Sequence, residues 1–228
     1  MHGPWKAVAA GLAFAALTAL SAHPAAAHRG RLQHDVRQPY AADGNEPFPV
    51  PAVKTSQIQR AFLRRTVSYK TGEAPGTIVV DPHQHFLYLV QRGGRARRYG
   101  VGVGRIGFAW SGVATIRNKR RWPDWYPPEE MMKRKPELRQ IVTEMENGLG
   151  VHGGPHNPLG ARALYLWKGN KDTLFRIHGT VEPESIGKSV SSGCIRMINQ
   201  DVIDLYRRAR VGAKVVVLAS HEEAATAR

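Results

Sequence analysis

The sequence predicts a mainly β domain with a few helices. Two observations carry this. From residue 66 to 220, short β-rich runs recur, each bounded by Gly, Pro, Asn or Asp. Only INQDVIDLYRRAR, near the end, holds apolar residues at helical spacing over several turns. The chain has 228 residues, which suits one domain of ordinary size with extensions.

The elements follow in order. FLRRTVSY, from Phe62, reads as a first strand. Thr77–Val80 and Phe86–Gln91 read as two strands joined by a turn at Asp81-Pro82-His83-Gln84. Gly93-Gly94 makes another turn, and ARRYGVGVG reads as a third strand, so a meander is expected. SGVATIRNKRRW starts as a strand and passes into a Trp/Pro-rich loop. Pro127-Pro128-Glu129-Glu130 has the proline and acids that open a short helix. ALYLW (163–167) and TLFRIHG (173–179) flank Lys168-Gly169-Asn170-Lys171-Asp172, a hairpin loop. The helix after Ile198 carries Val202, Leu205, Tyr206 and Ala209 on one face, with Asn199 placed to cap it. Arg207, Arg208 and Arg210 suit its C-terminal dipole, and Gly212 stops it. AKVVVL reads as a last, buried strand, and residues 221–228 as a flexible tail.

The chain begins with Lys6, then an apolar run to about Ala22, then Ala25-Ala26-Ala27 in the A-x-A form. Residues 1–27 are therefore expected to be a secretory signal peptide, cut after Ala27, and to leave no stable membrane span. An uncleaved anchor is the competing reading, for which the run is short. Residues 28–65 are expected to form a disordered or extended linker, since 28–55 show no apolar period and contain four prolines.

The formal charge is +15, and Lys6 is the only Lys or Arg in the signal segment, leaving +14 (15 − 1) after cleavage. An exported protein so basic is drawn to polyanions of the cell envelope. Nucleic acid is excluded as the partner by the export signal and by the lack of any zinc-finger, RRM or KH pattern. A well-solvated basic surface is the plainer alternative.

Cys194 is the only cysteine. In an oxidising compartment a lone thiol is intermolecular, reactive or simply buried. Its surroundings bear on the choice. His178 ends an apolar strand, and the Gly179 carbonyl is placed to accept its imidazole N–H and fix the tautomer. Gly193 lets a substrate approach the backbone, Ser191 and Ser192 supply hydroxyls, and N–H groups near Gly193 and Cys194 suit an oxyanion. Arg196 suits a substrate carboxylate. Each element alone has an ordinary structural explanation. A zinc site has no matching ligand spacing, so no metal is assigned.

Taken together, His178-Gly179-Thr180, Gly187 and Ser191-Ser192-Gly193-Cys194-Ile195-Arg196 resemble the signature of the YkuD-type L,D-transpeptidases. WPDWYPPEEM (122–131), GLGVHGGPHNPLGARALYL (148–166) and PGTIVVDPHQHFLYLV (75–90) extend the likeness over about 150 residues. Ser192 departs from it, standing where many members have His. The resemblance implies a β-sandwich or barrel catalytic domain over 66–220 with Cys194 as nucleophile, His178 as base and no cofactor. It implies peptidoglycan stem peptides as substrates and a second stem, an envelope protein or water as acyl acceptor. It also places His152 and Gly153 beside the donor cleft and Trp122, Trp125 and Tyr126 in a lid; a surface turn and ordinary aromatic packing compete with these two assignments. Another wall thiol hydrolase and a non-enzymatic wall-binding module are the rival functions.

Overall fold

The computed structural model describes residues 39–105 and 110–219, together with Gly3. The expected signal segment 1–27, apart from Gly3, and the expected tail 221–228 lie outside the described residues, as does 28–38 of the expected linker. Residues from Pro39 onward belong to one unit.

Among the described residues, nine strands form the main sheet: β1 (Arg65–Ser68), β2 (Ile78–Asp81), β3 (Phe86–Gln91), β4 (Arg95–Gly100), β6 (Gly112–Arg121), β9 (Arg162–Lys168), β10 (Lys171–His178), β12 (Ile195–Arg196) and β13 (Lys214–Val217). Their order is β1-β4-β3-β2-β13-β6-β9-β10-β12. The pairs are antiparallel except β2 with β13 and β10 with β12, which are parallel. β5 (Val103–Gly104) pairs with β11 (Ser189–Ser191), and β7 (Thr143–Met145) with β8 (Gly148–Gly150). A bridge between Gly102 and Arg196 ties the continuation of β4 to the far edge of the sheet. The sheet therefore curls toward closure, which leaves fewer backbone groups without partners at its edges.

The alternation that marked the strands places Ile78, Val80, Leu87, Leu89, Ala114, Ile116, Leu164, Leu166, Ile177 and Val215 in one core. Helix α2 (Asn199–Arg208) lays Val202 and Leu205 into it. Each such side chain contributes about 1.5–3 kcal/mol on full burial. A second cluster, Val79, Tyr88, Val90 and Ala96, covers the other face of β2–β4.

The structure refines several expectations. The first strand is only Arg65–Ser68, because Phe62 lies in a 3-10 turn (Arg60–Phe62) and packs inward. ARRYGVGVG divides into β4 and β5 where Gly102 bridges to Arg196. The expected hairpin loop shrinks to Gly169-Asn170, with Gly169 at φ 57°, as a two-residue turn requires. The short helix α1 spans Glu129–Arg134 with its two acids in the first turn.

Residues 39–65 are not the disordered or extended linker expected. They form a strap in which Tyr40, Val50 and Ile58 are buried. Gln200 donates to the carbonyls of Ala41 (3.1 Å) and Pro51 (2.8 Å), and Arg64 Nη1 donates to the Gln200 carbonyl (3.0 Å). Arg162 and Trp122 both hold the Glu46 carboxylate. The strap has no apolar period because its order comes from short 3-10 turns and a bridge between Asp43 and Val50, while Gln200 and Arg98 of the domain satisfy the carbonyls of Ala41, Pro51 and Ala61.

Candidate active site

β10 ends at His178 and β12 begins one residue after Cys194. Their parallel pairing sets Ile177 opposite Ile195 and His178 opposite Arg196. Ile177 and Ile195 are buried in the core. Strand alternation then directs Cys194 and His178 to the other face together. The residues sixteen positions apart (194 − 178) are thus linked through one strand pair, Arg196 lying opposite His178 and Cys194 preceding Arg196 by two.

His178 is buried, and its Nδ1 lies 2.6 Å from the Gly179 carbonyl oxygen. That oxygen only accepts, so Nδ1 carries the hydrogen and Nε2 is left as the acceptor. Burial, reinforced by the charges of Arg196 and Arg176, pushes the imidazole down to about 4; the Gly179 bond opposes this. The ring is neutral at physiological pH.

Cys194 is half-buried and is the free cysteine of the described chain. Its sulfur lies 3.9 Å from the Leu174 carbonyl, toward which the S–H points as donor. No hydrogen bond joins it to the His178 ring among the described residues. Burial pushes the thiol above its usual value, while the Arg176 backbone N–H and the Arg176 and Arg196 charges pull the other way. The resting pair is therefore a neutral thiol beside a neutral imidazole.

The turn before the thiol is internally braced. Ser191 is 2% exposed; its hydroxyl donates to the Cys194 carbonyl (2.6 Å) and accepts from the Gly193 N–H (3.2 Å). Ser191 thus shapes the loop and does not present its hydroxyl to a ligand, and the Gly193 N–H is engaged in the same turn. The Cys194 N–H has no partner among the described residues. Gly193 takes φ 114°, a backbone state that side chains disfavour. Ser192 is half-buried in this turn. Arg196 bonds Glu182 at 2.7 Å, so its guanidinium is already partnered.

His152 and Gly153 belong to a different turn. The Gly153 N–H donates to Asp124 at 2.8 Å, and His152 Nδ1 stands 3.8 Å from the same carboxylate. The His152 side chain is largely exposed. A Cβ on Gly153 would run into the Trp122 carbonyl, so close packing accounts for this glycine. Trp122 itself is buried, donates to Glu46 at 3.1 Å and packs edge-on against Phe48.

Asn199 is the residue that sequence reasoning misplaced. Ile198 occupies the capping position of α2, and no side chain caps it. The Asn199 carboxamide instead accepts from the Ala161 N–H (2.9 Å) and donates to the Thr180 carbonyl (3.1 Å). It holds the chain just beyond His178-Gly179. Among the described residues, no group of three or more His, Cys, Asp or Glu side chains gathers to hold a metal ion. No helix among them is long and apolar enough to cross a membrane.

Residues 75–217 match the YkuD model, described as the L,D-transpeptidase catalytic domain. The chain is 29% identical over 149 residues to "Probable L,D-transpeptidase ErfK/SrfK" of Escherichia coli, covering 63% of this chain and 44% of that protein. It is 30% identical over 119 residues to "Probable L,D-transpeptidase YbiS" of the same organism, covering 50% and 35%. It spans less than half the length of these curated relatives. A solved structure described as a "Probable carnitine operon oxidoreductase caia" from Brucella melitensis is 51% identical, covering 72% of this chain and 99% of that one at a TM-score of 0.47. The family match includes both His178 and Cys194 and extends over more than half the chain, which therefore belongs to the YkuD family of L,D-transpeptidase catalytic domains.

Proposed function

We propose that this protein is a peptidoglycan L,D-transpeptidase with Cys194 as nucleophile and His178 as general base. One observation supports this most: parallel pairing of β10 with β12 sends the lone thiol and a tautomer-fixed imidazole to one face. Because both groups rest neutral, the thiol proton passes to His178 Nε2 as the sulfur attacks, not before. The attacked carbonyl joins the L-centre of diaminopimelate to the terminal D-Ala of a tetrapeptide stem. The C–N bond breaks, His178 returns the proton to the leaving amine, and a thioester remains on Cys194. The Cys194 N–H suits the transient oxyanion.

An amine then attacks the thioester and the thiol is regenerated. A second stem as acceptor gives a 3→3 cross-link, and an envelope protein becomes anchored to the wall. Arg196, released from Glu182, suits a stem carboxylate. Residues 1–27 export the enzyme to the periplasm or envelope, where its basic surface holds anionic wall polymer. That contact weakens as salt rises.

The test is incubation of the purified protein with tetrapeptide muropeptides, followed by mass spectrometry. Loss of D-Ala with dimers joined through two diaminopimelates is expected, and Cys194→Ala abolishes both. Monomeric tripeptides alone identify an L,D-carboxypeptidase. Unchanged muropeptides with folded protein overturn the proposal.

A further inference from the structure

β10 does not pair evenly with β9. The register slips between Asp172 and Arg176, a β-bulge in the strand that leads to His178. Leu174, inside the bulge, takes φ 61°, the left-handed region that a side chain such as leucine rarely enters. The residue is 68% exposed, so core packing does not impose this shape.

The imposing contacts come from its neighbours. Asp172 accepts from the Leu174 N–H at 2.9 Å and grips the Arg176 guanidinium with both oxygens, at 2.7 and 2.8 Å. Arg176 also donates to the Phe175 carbonyl (2.9 Å) and lies 4.3 Å over the Tyr165 ring. Thr173 donates to the Leu166 carbonyl (2.6 Å) and accepts from the Phe175 N–H (3.2 Å). A local strain held this firmly beside a reactive group points to a use. The bulge turns the Leu174 carbonyl to within 3.9 Å of the Cys194 sulfur. The Arg176 backbone N–H acts on the same sulfur.

We propose that this bulge is a positioning device for the Cys194 thiol, with the Asp172 carboxylate as its latch. The Leu174 carbonyl fixes the direction of the S–H, and the Arg176 N–H meets the sulfur as negative charge develops there. Asp172 touches no reacting atom; it acts through Leu174 and Arg176. The inference rests on the reading of Cys194 as nucleophile.

The test is the pH profile of Cys194 alkylation by iodoacetamide, a reaction that needs no wall substrate. The sulfur displaces iodide, and its proton passes to His178 or solvent. The charges acting on the sulfur are those of Arg176 and Arg196, paired with Asp172 and Glu182, and His178 ends the strand that pairs with β12 beside it. Asp172→Ala is expected to move the midpoint up by about one pH unit, roughly a tenfold loss of thiolate near neutrality. Removal of a negative charge moves it down, and so does loss of the Leu174 acceptor, which favours the protonated thiol, so a rise reports loss of the Arg176 N–H from the sulfur. Adding Leu174→Gly to Asp172→Ala is expected to restore the profile, because glycine adopts φ 61° without the latch. If Asp172→Ala does not unfold cooperatively in urea, Asp172→Asn takes its place in both measurements. An unmoved or lowered midpoint in the folded variant, or failure of the glycine to restore it, overturns the inference. Should muropeptides stay unprocessed while the midpoint rises as expected, the transpeptidase reading fails and the latch stands.

Discussion

The Asn199 side-chain amide donates to the Thr180 carbonyl across 3.1 Å, joining the start of α2 to the loop that leaves the candidate base. The same carboxamide accepts from the Ala161 N–H, so one residue satisfies two backbone groups that have no strand partner. Asn199→Ala leaves both unmet, at a cost of about 1–3 kcal/mol for each buried group. The expected outcome is a lower urea midpoint together with slower acylation by a carbapenem. A stability loss with unchanged acylation would show that the brace does not reach the site.

Gly179 lies against this brace. A Cβ there would run into Asn199 Oδ1 and come within 3.1 Å of the Ala161 nitrogen. Gly179→Ala keeps the carbonyl that holds the His178 ring, yet it is expected to destabilise the fold by roughly 1–3 kcal/mol, as overpacking does. Thermal unfolding checks the stability and muropeptide turnover checks the site. Wild-type values for both would refute the packing argument.

The neutral state of the Cys194–His178 pair predicts a particular pH response. Alkylation of wild-type Cys194 should keep rising above pH 8, with no inflection near the ordinary imidazole value. A preformed thiolate–imidazolium pair would instead react at a constant rate from mildly acidic pH upward. A plateau between pH 5 and 8 would contradict the burial argument for both groups.

Phe62 of the strap presses on Gly187, in the loop between His178 and Cys194. A Cβ on Gly187 would meet the Phe62 ring, and Gly187 also takes φ 83°. Phe62→Ala is expected to cost roughly 2–3 kcal/mol, below the ~3–5 kcal/mol of a fully buried phenylalanine, since Phe62 is half-buried. Its effect on carbapenem acylation should exceed that of an equally destabilising change remote from the loop, such as Tyr88→Ala. Equal acylation in the two variants would confine the strap to stability.

Asp201 is fully buried beneath the strap, 3.5 Å from Arg64 and 3.2 Å from the Tyr40 hydroxyl. Burial raises its carboxyl from 3.8 to about 7, against the pull of Arg64 and Tyr40. Between those values the folded state binds a proton that the unfolded chain has released. This group's contribution to stability therefore falls as pH rises from about 4 to 7, by at most ~1.4 kcal/mol per unit. Asp201→Asn removes that dependence, so its stability relative to wild type should improve from pH 5 to pH 8. Urea titrations at the two values decide this; a constant difference would show Asp201 ionised throughout.

Much of the fold was legible because strand alternation and turn residues are local signals. Thr77–Val80, Phe86–Gln91 and the 173–179 run all lie on or overlap strands. His178 and Cys194 stood out because each comes with glycines and polar turn residues. The strap was not legible: Tyr40, Val50 and Ile58 are buried at irregular spacing, against partners far away in sequence. Asn199 suggested a cap from its place before a helix, but two unpaired backbone groups from distant loops claimed its amide. Leu174 carries no mark of a positive φ; only the Asp172–Arg176 pair across the bulge reveals it.

The sequence by itself determined which chemistry is available: one thiol, one strand-end imidazole followed by a glycine carbonyl, and a basic chain around them. Those follow from residue identity and from contacts between adjacent residues. Tertiary structure decided how these groups meet. Parallel pairing of β10 with β12 sets Cys194 two residues before the partner of His178, a bulge directs the Leu174 carbonyl at the sulfur, and burial favours the neutral form of both groups. Desolvation and long-range pairing depend on what folds over a residue, which its immediate neighbours in sequence do not specify.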